Sequence, residues 1–115
     1  MSGNTLKSAK YESCIDACND CFEACEFCAT ECLREEDVEM MTKCILLCRD
    51  CANICVTASQ FMSRDSEYLK QICNVCAEVC DSCGAECEKH QTVEHCKQCA
   101  QKCRECGSEC HKMAR

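Results

Sequence analysis

The sequence has no proline and no tryptophan, only 3 glycines, and 4% aromatic residues. Without proline there is no built-in helix breaker. With few aromatics, no basic stripe and a net charge of -7, nothing suits a nucleic-acid partner. Residues 1–7 carry neither an apolar stretch nor a twin arginine, so they do not read as an export signal and the expected location is the cytoplasm. No apolar run approaches the roughly 18 residues of a membrane span, so no membrane partner is expected. At 115 residues the expectation is one domain, 1–115. A conventional core is also missing. Leu, Ile, Val and Phe number 17, about 15% of the chain, and under roughly 20% with this much charge ordinarily marks disorder.

What the chain has instead is 20 cysteines. They fall into four clusters: Cys14, Cys18, Cys21, Cys25, Cys28 and Cys32; Cys44, Cys48, Cys51 and Cys55; Cys73, Cys76, Cys80, Cys83 and Cys87; and Cys96, Cys99, Cys103, Cys106 and Cys110. Gaps within each cluster alternate between 3 and 4, the seam rhythm of an α-helix packed on other helices. The spacing therefore predicts an all-α protein with helices near 5–34, 38–62, 66–89 and 93–113. Asp37, Asp65 or Ser66, and Thr92 are the expected N-caps, and Lys89 suits a helix C-terminus. Short connections make neighbours antiparallel, giving an up-down-up-down four-helix bundle with a cysteine-lined core.

The clusters repeat one another. CNVCAEVCDSCGAEC (73–87) and CKQCAQKCRECGSEC (96–110) share Ala77/Ala100, Gly84/Gly107 and Glu86/Glu109 besides the cysteines, and residues 18–32 fit the same frame. One helical unit is used four times.

Thiols three and four residues apart on a helix are surface neighbours and can grip one ion between them. Soft thiolates favour Cu(I), Zn(II) and iron–sulfur clusters. Zinc in closed tetrahedra would saturate 20 cysteines at about five ions. Cu(I) accepts two or three bridging thiolates, and exchanging each thiol proton for one Cu(I) keeps a low-dielectric core neutral. The expected cargo is therefore multiple Cu(I) ions, near one per cysteine and up to about 20, with a metallothionein-like zinc or mixed-metal sink as the alternative. A disulfide ladder along a helix would be strained, and the gaps do not match ferredoxin spacing. No His–Cys–Asp arrangement stands apart from the repeats, so no enzyme is expected.

The four 3/4-spaced clusters, the absent proline, the CGxEC ends of clusters three and four, and the segment LKQICNVCAEVCDSCGAECEKH resemble the bacterial copper storage proteins, with the cytosolic type most similar. The likeness runs over roughly residues 8–113. It implies a four-helix bundle whose core cysteines bind many Cu(I) ions, a homotetramer, and storage or buffering of cytosolic Cu(I) without catalysis. It names no copper donor or acceptor.

Extending each stripe outward gives the bundle two different ends. One gathers Glu35, Met41, His90 and Thr92; the other gathers Tyr11, Ala58, Met62, Leu69 and Met113. The first has polar, soft donors, so copper is expected to enter there, handled by Met40, Met41, His90 and His95. His95 sits beside its stripe, His111 lies off the seam, and Met62 and Met113 read as apolar plugs. Ile45, Leu47, Ile54, Ile72, Val75 and Val79 flank the stripes and are expected to bury between helices or subunits. The acidic residues read as a solvated face.

Overall fold

Four runs with the seam rhythm become four helices in the computed structural model, which describes residues 10–115. Helix α1 is Glu12–Cys32, α2 Thr42–Ser63, α3 Leu69–Glu88 and α4 Glu94–Ala114. The part of the first expected helix before residue 10 lies outside the described residues. Among the described residues there is no strand, and no helix is long and apolar enough to cross a membrane. Each helix packs on two neighbours, in the cycle α1–α2–α3–α4–α1. That is the expected up-down-up-down bundle.

The seam is the core. All 20 cysteines are buried, none more than 1% exposed. They behave here as small hydrophobes, the role free cysteine fills readily in protein interiors. Met62 and Ala58 at 0% and Met41 at 5% continue the α2 stripe beyond its cysteines. Ile45, Leu47, Ile54, Ile72 and Val79 are partly buried against this core, whereas Val75 is 43% exposed in the single chain.

The helix ends depart from the sequence expectation. Residues 38–41 form a separate 3-10 turn, and Asp37 makes no side-chain cap. Helix α2 closes with Asp65 at φ 49°. The Ser66 N–H donates to Phe61 O at 3.0 Å and the Asp65 N–H to Met62 O at 3.1 Å. This is a Schellman closure, with Asp in the left-handed position that glycine usually takes. Asp65 thus ends α2 instead of starting α3, and its carboxylate accepts a 2.6 Å bond from the Tyr11 hydroxyl. Ser66 keeps part of its expected role, its Oγ accepting the Tyr68 N–H at 3.1 Å. Helix α4 starts after Val93, not Thr92, with no side-chain cap. Lys89 does stand at the end of α3.

Helices α3 and α4 pair reciprocally. A Cβ on Gly107 would lie 2.6 Å from Asp81 Oδ1, and one on Gly84 would lie 3.2 Å from Arg104 Nε. Only glycine lets the helices approach this closely without displacing those side chains. Arg104 forks onto Glu88 through Nε and Nη2 at 2.9 and 2.7 Å, holding the Glu88 carboxyl below its ordinary range. His111 meets Asp81 at 2.8 Å. Asp81 and Arg104 are equivalent in the two repeats, as are Glu88 and His111, so the two polar pairs are related by a local two-fold.

Candidate metal centre

Helical geometry carries each stripe inward, so the thiols of four helices meet along one axis. Sulfurs of adjacent helices lie 3.5 Å apart at Cys44–Cys87 and 3.6 Å apart at Cys21–Cys51, Cys51–Cys80 and Cys18–Cys106. Diagonal helices also touch, with Cys48–Cys99 and Cys55–Cys106 each at 3.8 Å. Contacts of 4.0 Å or less link nineteen of the cysteines into one network, and Cys73 interacts with the thiols of Cys14 and Cys110. At a rise of about 1.5 Å per residue, the α1 stripe from Cys14 to Cys32 makes it about 27 Å long.

Groups of side chains that could hold an ion recur along this axis, and five of them are four-thiol sets with all sulfurs within 4.8 Å of one another. From the Met62 end inward they are Cys18–Cys76–Cys106–Cys110, Cys21–Cys55–Cys80–Cys106, Cys21–Cys25–Cys51–Cys103, Cys25–Cys48–Cys83–Cys99 and Cys28–Cys32–Cys44–Cys96. A metal–sulfur bond of about 2.3 Å separates ligand sulfurs by about 3.8 Å in a tetrahedron and about 4.0 Å in a trigonal site. The observed contacts, 3.5–4.0 Å, lie close to those separations. Cys21, Cys25 and Cys106 each belong to two groups. Independent closed tetrahedra would compete for those sulfurs, whereas ions that share bridging thiolates would not. The zinc alternative is the poorer fit.

Burial opposes ionisation. It pushes the Cys32 thiol up to about 11, with the neighbouring Cys44 adding to the shift. A thiolate here is costly until a cation replaces its proton.

The expected entrance residues separate into two sets. Met40, Met41 and His90 line a depression of about 600 Å³ with Glu35, Glu36, Asp37, Lys89, Thr92 and Val93. Met41 forms its buried floor, while Met40 is 65% exposed. His90 turns to Glu86, its Nε2 3.4 Å from Oε2. His95 lies elsewhere, in a recess between α1 and α4 with Phe27, Glu31, Glu94 and Gln98. It reaches the thiols despite standing off the seam. Its Nδ1 is 3.4 Å from Cys28 Sγ, 3.7 Å from Cys96 Sγ and 3.9 Å from Cys32 Sγ, and its Nε2 is 3.0 Å from Glu35 Oε1. His111 is half exposed beside Asp81, as expected for an off-seam residue.

Glu86 corrects the reading of the acids as a solvated face. It is 7% exposed, held by Lys89 Nζ at 3.2 Å, His90 at 3.4 Å and Lys43 Nζ at 3.9 Å. Its recurrence as Glu109 in the next repeat was the available signal. Glu109 also bridges a helix pair, at the surface, accepting the Ser13 hydroxyl at 3.0 Å. At the opposite end, Met62 is fully buried, and Tyr11 and Leu69 nearly so.

Known proteins agree with this geometry. The cysteine-rich protein YhjQ of Bacillus subtilis is 46% identical over 79 residues, 69% of this chain and 73% of its own length. The Cu(I)-bound copper storage protein BsCsp3 superposes with a TM-score of 0.86 at 45% identity, over 90% of this chain and 97% of that one. A cytosolic copper storage protein from Streptomyces lividans, solved with five coppers, gives 0.87 at 38% identity, over 90% and 91%. The sequence pattern of the copper storage proteins matches residues 7–115. With its sulfur-lined bundle and this match along nearly its whole length, the chain belongs to the copper storage protein family.

Proposed function

We propose that the chain stores and buffers Cu(I) in the cytoplasm, holding many ions on the thiolates of its 20 cysteines with no catalytic turnover. The observation that carries this reading is the single sulfur network with shared members. It suits a cation that accepts two or three bridging thiolates, and it suits a capacity near one ion per cysteine. Residues 1–115 act as one metal-holding unit in this reading. Copper enters at the end bearing Met40, Met41, His90 and His95. Soft thioether and imidazole donors there can pass an ion inward, while the far end is closed by apolar side chains. We also propose a homotetramer. Exposed Leu46 and Val75, with half-buried Leu47, Ile54, Ile72 and Val79 on the same two helices, supply apolar surface for it.

Anaerobic Cu(I) titration against a competing chelator tests the storage reading. Saturation near 20 ions is expected; saturation near five would mark closed tetrahedral sites and overturn the capacity. Light-scattering mass measurement tests the tetramer.

A further inference from the structure

We propose that Glu35 is a positioning residue for copper loading: its carboxylate fixes the His95 ring so that Nδ1 faces the outermost four-thiol group. The proposal rests on the reading that copper is admitted at this end. Just past α1, the Glu35 N–H donates to the Cys32 carbonyl at 3.2 Å. This holds Glu35 over the end of the α1 stripe, and its side chain spans to α4. There its Oε1 lies 3.0 Å from His95 Nε2. An ionised carboxylate only accepts hydrogen bonds, so Nε2 carries the hydrogen. In the neutral ring Nδ1 is then a bare lone pair, 3.4 Å from Cys28 Sγ and within 3.9 Å of Cys32 and Cys96. These three sulfurs and Cys44 make up the group nearest the mouth. The opposite tautomer would turn an N–H toward the thiols and offer a metal nothing.

A carboxylate behind a ligating imidazole sets its tautomer and its aim. Glu35 has a second relevant position. It also lines the depression that holds Met40, Met41 and His90, which His95 itself does not line. Glu35 therefore links the two halves of the proposed entrance, and its side chain is 38% exposed where an arriving cation would meet it.

Two measurements test the proposal. Nitrogen-15 NMR of the copper-free protein reads the ring directly. His95 should be the Nε2–H tautomer in the wild type and in Glu35→Gln, whose amide oxygen still accepts, and a mixture in Glu35→Ala. Stopped-flow uptake of Cu(I) supplied anaerobically as its bicinchoninate complex reads the consequence. Glu35→Ala should slow loading about tenfold with final capacity unchanged, the usual scale for losing such a partner. Glu35→Gln should load near the wild-type rate. Adding Glu35→Ala to His95→Ala should slow loading no further than His95→Ala alone.

If Glu35→Gln is as slow as Glu35→Ala, charge at the rim and not ring orientation is responsible, and the proposal fails. An unchanged tautomer in Glu35→Ala, or a wild-type loading rate in Glu35→Ala while His95→Ala is slow, overturns it without touching the entrance. Wild-type loading in His95→Ala overturns the part of the entrance assigned to His95, and the role of Glu35 in loading falls with it.

Discussion

Cys21→Ala separates a shared sulfur network from a row of closed sites. Cys21 is fully buried and belongs to two four-thiol groups, with sulfur contacts to Cys51 at 3.6 Å, Cys103 at 3.8 Å and Cys25 at 3.9 Å. Removing its sulfur takes away one methyl-sized apolar group and leaves a small gap. The copper-free bundle should lose about 1–2 kcal/mol by urea denaturation. Each affected group keeps three thiolates, a number Cu(I) accepts, so no site need be abandoned. Charge balance then sets the capacity at about 19 ions, one for each remaining thiolate. The assay is anaerobic titration of wild type and variant in parallel, with unfolding of the apo proteins as the control for packing. Loss of two or more ions, as if both groups had been emptied together, would refute bridging. An unchanged capacity would refute one ion per thiolate.

Other perturbations probe the ends and the helix contacts. Met62→Ala, at a fully buried position, should cost about 2–5 kcal/mol of apo stability and leave titrated capacity unchanged; a drop in capacity would make Met62 a ligand. Gly107→Ala should be nearly neutral by thermal melting. The Asp81 carboxylate 2.6 Å from the new Cβ can swing away, giving up an exposed pair of about 0–1 kcal/mol, while alanine favours the helix by about 1 kcal/mol. A loss above about 3 kcal/mol, the scale of core overpacking, would mean the backbones themselves must part. Cys32 supplies a pH test. Its folded value is raised to about 11 from an unfolded value of about 8.5, so the folded state favours the protonated thiol. Its contribution is complete below about pH 8.5 and shrinks as pH rises toward 11. The stability advantage of wild type over Cys32→Ala in the apo protein should narrow across that window. A widening gap would refute the sign.

Cysteine spacing was enough to read the helices, their directions and the core, because a 3/4 rhythm has one structural meaning and cysteine tolerates burial. The ends were harder. Asp37 and Thr92 look like N-caps in sequence, but a 3-10 turn and the extended Val93 take those places. Asp65 looks like a cap for α3 and instead closes α2, because its preference for the left-handed region outweighs its capping chemistry. His95 was placed beside its stripe. Side chains in a helix lean toward its N-terminus, and at the start of α4 that direction leads over the end of α1. Adjacency between α1 and α4 is a tertiary fact that spacing within one helix cannot contain. Glu86 was hidden for a similar reason: one of its partners, Lys43, arrives from α2.

The local two-fold between α3 and α4 makes half of the sulfur lining the same when read from either end. Cys80 and Cys103 pack on Gly107 and Gly84 in equivalent positions, and the polar pairs outside repeat the exchange. Along α3 and α4 a copper ion meets the same kind of ligand at the same sequence spacing from either end. Within this half, the difference between the two ends of the bundle is therefore carried by what caps them: Glu35, His95 and the methionines at one, Tyr11, Leu69 and Met62 at the other. Exchanging the two caps would reverse the bundle's polarity without changing one thiol.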